Sequence, residues 1–165
     1  MTKREAVFSK DMENKKVSVV RLFDAPLEQV WKAWTTAEIL DLWWAPKPYK
    51  AETGLMDFRE GGQWLYYMVS PEGAKTWCRV DYHTIDSQKS ITSVVVFCDE
   101  KGNENPDFPK VYWKKQFSQP DSSTTQVDVE ISFDQTADME MLLKMGFEGG
   151  FTAGLNNLDE YLENL

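Results

Sequence analysis

The sequence predicts an α+β fold in which an antiparallel sheet of about seven strands curves around one long C-terminal helix. Residues 49–133 contain successive runs of β-forming residues separated by short turns, which indicates neighbouring antiparallel strands. Apolar residues then recur every three or four positions from Phe147 to Leu162, the spacing of one helix face. We therefore expect a single domain over residues 16–165, preceded by a polar arm at residues 1–15.

The first strand and two short helices are predicted near the start of this domain. Aliphatic and β-branched residues dominate residues 17–23, which indicates a strand. Pro26 breaks the strand and is tolerated in a first helical turn, so a short helix is expected at residues 26–34. Thr36 is a candidate N-cap for a second short helix at residues 37–43.

Six further strands are predicted, with turns that have recognisable chemistry. Gly61-Gly62 is suited to a tight hairpin, since glycine accepts positive φ, and Ser70-Pro71-Glu72-Gly73 is typical of a β-turn. Between residues 126 and 133 of the last strand the odd-numbered residues are apolar and the even-numbered ones polar, which predicts a sheet with one buried face. The predicted strands are residues 51–58, 63–69, 75–85, 91–98, 111–118 and 125–133.

The C-terminal region is predicted to be helical, with a first piece at residues 138–145. The long helix then carries a row of small residues, Gly146, Gly150 and Gly154, beside its apolar stripe. Glycine costs about 1 kcal/mol in a helix relative to alanine, so the row needs a reason. Three explanations stay open: close contact between helix and sheet, room left for a ligand, or a helix break at Gly149-Gly150.

Composition excludes several classes of function. The chain has 27 acidic and 18 basic residues and a net charge of −9, so nucleic acid is not an expected partner. No apolar run approaches the roughly 20 residues of a membrane-spanning helix, and the N-terminus has no apolar signal region. We expect a cytoplasmic protein in which Cys78 and Cys98 are buried free thiols.

Chemistry for catalysis or for cofactor binding is sparse. His83 is the single histidine, and it shares a predicted strand face with Arg79 and Asp81, which is typical of a solvated surface. No nucleophile motif, metal-ligand spacing or nucleotide-binding loop is present. The expectation is no metal, no cofactor and an activity that is not enzymatic, although a cofactor-free enzyme stays open.

Six segments resemble one known family. They closely resemble the SRPBCC (START-like) superfamily, and within it the branch related to the activator of the heat-shock protein 90 ATPase. Phe151 departs from the pattern, because many relatives carry Trp there, which alters the shape of a pocket. The segments are residues 21–26 (RLFDAP), 30–35 (VWKAWT), 42–46 (LWWAP), 57–64 (DFREGGQW), 146–151 (GFEGGF) and 155–162 (LNNLDEYL).

The resemblance implies a helix-grip fold with a cavity between the sheet and the last helix. Members of the superfamily bind lipids, sterols, polyketides and plant hormones, some are cyclases or hydrolases, and this branch includes a co-chaperone domain. Seven Trp, six Tyr and nine Phe would supply either an aromatic core or an aromatic cavity wall. The predicted cavity residues are Trp31, Trp34, Trp43, Phe58, Trp64, Tyr66, Met68, Tyr82, Phe117, Phe147, Gly150, Phe151, Gly154 and Leu155.

Three charged residues are candidates for polar contacts to a ligand. Asp57 and Arg59 lie two apart on one predicted strand face, where they would either anchor a ligand or pair with each other at the glycine turn; Arg21 invites the same structural interpretation. Glu148 lies beside the glycine row, with solvent exposure as its ordinary alternative.

The leading hypothesis is that the protein holds a small hydrophobic or aromatic ligand in the helix–sheet cavity. The alternatives are a co-chaperone-like module that binds a protein partner through its outer surface, and a cofactor-free cyclase- or hydrolase-type enzyme. An exposed edge strand would also permit a homodimer.

Overall fold

The computed structural model describes residues 5–165, which form the predicted α+β fold. Eight strands make one antiparallel sheet in the order β1-β2-β8-β7-β6-β5-β4-β3, and the long helix α4 packs its apolar stripe into the core that lines this sheet. This is the helix-grip arrangement. The elements are β1 Val7–Asp11, β2 Lys16–Phe23, α1 Leu27–Thr35, α2 Ala37–Trp43, β3 Lys50–Met56, β4 Gln63–Val69, β5 Lys75–Asp86, β6 Ser90–Cys98, β7 Val111–Asp121, β8 Thr124–Phe133, α3 Thr136–Lys144 and α4 Phe147–Glu163.

The strand β1 lies inside the segment for which the sequence predicts a polar arm. It pairs antiparallel with β2, from Val7 opposite Val20 to Asp11 opposite Lys16, and so extends the sheet from about seven strands to eight. Nearly all of its side chains are exposed, so it has no apolar alternation by which the sequence would reveal it. Residues 1–4 of the predicted arm lie outside the described residues.

Several boundaries differ from the prediction for local reasons. The connection between β3 and β4 spans residues 57–62 and is not a tight hairpin; Gly61 there has a φ of +83°. Strand β7 continues through Pro120 to Asp121, three residues beyond the predicted end of the strand at residue 118. The helical region breaks at Gly146, with a φ of +86°, and α4 then runs unbroken through Gly149 and Gly150.

A buried ion pair joins the sheet to the long helix. Arg21 on β2 is 2% exposed, and its guanidinium donates to the carboxylate of Asp159 and, at 3.1 Å, to Oδ1 of Asn156, both on α4. A buried charge needs such a partner, because its desolvation is costly. Arg21 is therefore a structural residue.

Helices α2 and α4 approach each other closely at Gly154. A Cβ atom on Gly154 would lie 3.1 Å from the carbonyl oxygen of Trp44 and 3.3 Å from that of Trp43. Nearby on α4, Nδ2 of Asn157 donates to the carbonyl oxygen of Ala45 at 3.0 Å. Close packing is thus the explanation for Gly154, although its partner is the end of α2 rather than the sheet.

We expect Gly154→Leu to destabilise the fold by about 1–3 kcal/mol or more, because backbone atoms already occupy the space that its side chain needs. Gly149→Leu is the matched control, since a Cβ on Gly149 has nothing within 4 Å and should cost nothing. Urea unfolding of both variants measures the difference. Equal stability of the two would show that the α2–α4 contact yields easily.

Candidate ligand-binding cavity

A cavity of about 240 Å³ lies between α4 and the strands β4 to β7. Its wall is formed by the inward side chains of those strands, by α3 and α4, and by the segment that follows α2. Most of the wall is apolar, and aromatic rings form much of it. The lining residues are Trp44, Pro46, Tyr66, Met68, Thr76, Cys78, Val95, Phe97, Val111, Trp113, Leu142, Phe147, Gly150 and Phe151.

The aromatic wall is held in place by edge contacts and one hydrogen bond. Nε1 of Trp44 donates to the hydroxyl of Tyr66 at 3.0 Å. The Phe151 ring meets those of Trp44 and Trp113 edge-on, with centroids 6.1 and 5.6 Å away, and stacks on Phe147 at 5.4 Å. Such contacts fix ring orientations, so the wall presents a defined shape.

The polar groups of the wall are neutral at physiological pH. Burial raises the pKa of the Cys78 thiol to about 12 and raises the pKa of the neighbouring Tyr66 hydroxyl well above its usual value. Thr76 adds a hydroxyl group. The lining contains no carboxylate and no imidazole, so no ordinary general acid or base faces the cavity.

The cavity brings together only part of the predicted site. Five of the predicted residues line it: Tyr66, Met68, Phe147, Gly150 and Phe151. Most of the others are buried in the core, where they fill space themselves. Trp31 and Phe58 are half-buried and contact each other, and Trp31 also contacts Phe117. The predicted residues that do not line it are Trp31, Trp34, Trp43, Phe58, Trp64, Tyr82, Phe117, Gly154 and Leu155.

None of the three predicted polar anchors lines the cavity. Nε of Arg59 lies 2.8 Å from Oδ2 of Asp57 in the loop between β3 and β4, and both side chains are largely exposed. A Cβ on the adjacent Gly62 would collide with the carbonyl oxygen of Asp57, so the pair belongs to a tightly folded loop. Glu148 faces outward and pairs at 3.1 Å with Lys10 of β1.

Both cysteines are free thiols, as expected, but only Cys78 is buried. Cys98 is half-buried at the end of β6, beside the loop after it. Partial burial raises the pKa of Cys98 as well, so it too is mainly protonated at neutral pH.

A second, more polar depression of about 640 Å³ lies on the outer face of the sheet. Of its charged residues, Lys16 and Glu130 pair with each other at 2.8 Å, and Lys114 also lines it. His83 lies here, exposed to solvent, as its strand face predicted. The cavity under α4 is the better candidate site, because its wall is mainly apolar and aromatic.

Sequence reasoning missed three residues that matter most around the cavity: Trp44, Trp113 and Lys115. Trp113 and Lys115 lie four and two residues before Phe117 on β7, so all three side chains share the inner face of the strand. The alternation of the strand could therefore have predicted the position of Trp113 and Lys115. Trp44 follows the end of α2, so its direction depends on how that helix packs, which no local pattern reveals.

Lys115 is a buried lysine inside a cage of tryptophans. It is 6% exposed, and its Nζ atom lies 5.3 Å from the ring centroid of Trp34 and 5.5 Å from those of Trp44 and Trp113. Residues 5–165 supply it with no hydrogen-bond or ion-pair partner, and burial lowers its pKa to about 8. The ammonium is therefore still mainly charged near neutral pH, and the indole faces stabilise it by cation–π contact.

The buried ammonium should lower the stability of the folded protein. Its pKa of about 8 lies below the ordinary 10.5, so the unfolded chain binds more protons between those values, and stability rises with pH across that window. We expect Lys115→Met to be more stable than the natural protein by up to about 3 kcal/mol near neutral pH, and the gap to shrink towards about pH 10.

Urea unfolding of both proteins at about pH 7 and about pH 10 measures this gap. Lys114→Met, on the exposed face of the same strand, is the control for the loss of one charge. A loss of stability in Lys115→Met that is equal at both pH values would show that cation–π contacts outweigh the desolvation of the ammonium.

Comparison with known proteins places the chain in a family. Residues 24–163 match the family model described as activator of Hsp90 ATPase homolog 1-like protein. No curated protein sequence is significantly similar to the chain. Within residues 5–165, no helix has the length and apolar character needed to cross a membrane.

Solved structures share the whole fold. Protein Ms6760 from Mycobacterium smegmatis is 23% identical, with a TM-score of 0.87, over 95% of this chain and 96% of that one. A protein from Arthrobacter aurescens is 25% identical, with a TM-score of 0.90, over 96% of this chain and 92% of that one. A protein from Staphylococcus epidermidis is 22% identical, with a TM-score of 0.83, over 96% and 94%. The chain therefore belongs to the family of activator of Hsp90 ATPase homolog 1-like proteins, within the SRPBCC superfamily.

Proposed function

We propose that the protein binds a small hydrophobic or aromatic molecule in the cavity under α4. The observation that carries this proposal is an apolar space of about 240 Å³ whose wall includes the rings of Trp44, Trp113, Phe147 and Phe151. Ligand sites are usually concave, mainly apolar and equipped with a few polar groups. The volume lies just below the range typical of drug-sized ligands, so a compact molecule suits it best.

The enzyme alternative has less support at this site. Its catalyst would need an acid or base with a perturbed pKa that faces the substrate. The titratable groups of the wall, Cys78 and Tyr66, are both held protonated by burial, which makes them poor bases near neutral pH. Lys115, whose pKa burial lowers to about 8, is not part of the wall and is still mainly charged near neutral pH.

The protein-interaction alternative is not favoured by the outer surface. The exposed large apolar side chains of the described chain are shared among several elements, and only Met141 and Met145 follow each other at helical spacing. They include Val7 on β1, Leu42 on α2, Leu55 on β3 and Met141 on α3. A docking surface of this class would more often be one contiguous patch.

Naphthalene tests the proposal, because it is flat, apolar and compact. We expect it to shift the NMR signals of the Trp44 and Trp113 indoles and to raise the melting temperature, since a ligand that binds only the folded state stabilises it. Gly150→Leu should weaken this binding at least about tenfold, because its side chain enters the cavity; a Cβ there has only Pro46 Cγ nearby, at 3.8 Å.

Gly149→Leu is the control, because it makes the same change on the solvent side of the same helix. It should bind naphthalene as the natural protein does. Absence of any binding to the natural protein, or equal binding to both variants, would contradict the proposed site.

A further inference from the structure

The inner face of the sheet holds buried hydrogen-bond donors that have no acceptor. The hydroxyl of Ser93 on β6 and Nε1 of Trp34 on α1 are buried without a hydrogen bond, as are Nε and Nη1 of Arg21, whose charge is paired through Nη2. Lys115 on β7 is 6% exposed and has no hydrogen-bond or ion-pair partner among residues 5–165. A buried polar group without a partner costs about 1–3 kcal/mol, and more when it is charged. Such groups need an explanation, and a missing ligand is one of the ordinary ones.

The strand register brings these donors near one another. Ser93 pairs with Trp113 and Ile91 pairs with Lys115 across β6 and β7, so Ser93 and Lys115 are diagonal neighbours on the inner face. Trp34 is one of the three rings around the ammonium of Lys115. Ser93 and Trp34 are thus both neighbours of Lys115.

The lysine cage and the cavity share part of their walls. Trp44 and Trp113 line the cavity and also lie within 5.5 Å of Nζ of Lys115, although Lys115 itself is not part of the cavity wall. Phe151 contacts all three cage rings and also lines the cavity. The long, flexible lysine stem allows Nζ to approach an anion that enters between these rings.

We propose that the natural ligand of the cavity is a carboxylate with an apolar body, and that Lys115 pairs with its carboxylate group. This inference rests on the proposed function, and it adds the chemical class of the ligand. The apolar body would lie against Phe97, Phe147 and Phe151, and the carboxylate would face the cage. An anion meets both needs of the cage, because it neutralises the ammonium and accepts hydrogen bonds from Ser93 or Trp34.

A neutral ligand would leave the charge of Lys115 uncompensated. Burial places the ammonium where Coulombic attraction is screened less than in water, so an incoming carboxylate gains more there than at the surface. The lining residues carry no acidic group that would repel the carboxylate. The same cage explains why a lysine that lowers stability is compatible with function.

Naphthoate and methylnaphthalene form a matched pair of probes, because they share a ring system and differ in the anionic group. Titration calorimetry would compare the natural protein with Lys115→Met and Lys114→Met. We expect Lys115→Met to weaken naphthoate binding at least about tenfold and to change methylnaphthalene binding by less than about twofold. Lys114→Met, which removes an exposed lysine from the outer face of β7, should change neither. Octanoate, run in parallel, shows whether a chain can replace the ring as the apolar body.

The outcomes separate this inference from the proposed function. Methylnaphthalene binding together with naphthoate affinity that is unchanged in Lys115→Met would overturn the carboxylate assignment alone, as would equal weakening of both probes. Failure of naphthoate alone to bind the natural protein would also overturn the carboxylate assignment, and failure of both probes would overturn the cavity function too. If octanoate binding also depends on Lys115, the proposed ligand class includes carboxylates with an aliphatic chain. If only naphthoate binding depends on Lys115, the class is restricted to aromatic carboxylates.

Discussion

The close approach of α2 to α4 at Gly154 is the constraint on which the cavity depends. Because Gly154 has no side chain, the carbonyl groups of Trp43 and Trp44 come within van der Waals distance of α4. That approach directs the Trp44 indole towards Tyr66 and Phe151, where it becomes a wall of the cavity. Gly150, one turn earlier on α4, has no backbone neighbour, and a Cβ there would meet only Cγ of Pro46, at 3.8 Å. Two glycines of one row thus have opposite roles: Gly154 permits the close contact between α2 and α4, and Gly150 leaves room for the cavity.

The two buried cations on the inner side of the sheet show a similar division. Arg21 has a carboxylate partner on α4 and ties the sheet to the helix, as expected of a structural ion pair. Lys115 lies against the rings of three tryptophans and has no ion-pair partner within residues 5–165. The fold thus provides a carboxylate for Arg21 and none for Lys115, which leaves Lys115 able to pair with an anionic ligand. The proposed carboxylate ligand would be that partner.

Local patterns predicted the fold well, because periodicity records which side of an element is buried. The last strand is an example: Val127, Val129, Ile131 and Phe133 all lie in the core. Strand β1 escaped prediction because it is held by backbone pairing to β2 with little side-chain burial. The cavity was predicted less completely, since an aromatic residue on the inner face either fills space or borders it. Trp34 and Trp64 fill it, whereas Trp113 borders it, and that difference arises from tertiary packing.

The central claim is that the space between α4 and the sheet is a real apolar cavity that accepts an apolar guest. Xenon tests this most directly, because it enters dry apolar cavities without needing polar contacts. Crystals of the natural protein under xenon pressure should show a xenon atom in contact with Trp113, Phe151 and Val95, and crystals of Gly150→Leu should lack it. The same experiment would contradict the account if Trp44 or Phe147 filled the space and no xenon bound beneath α4.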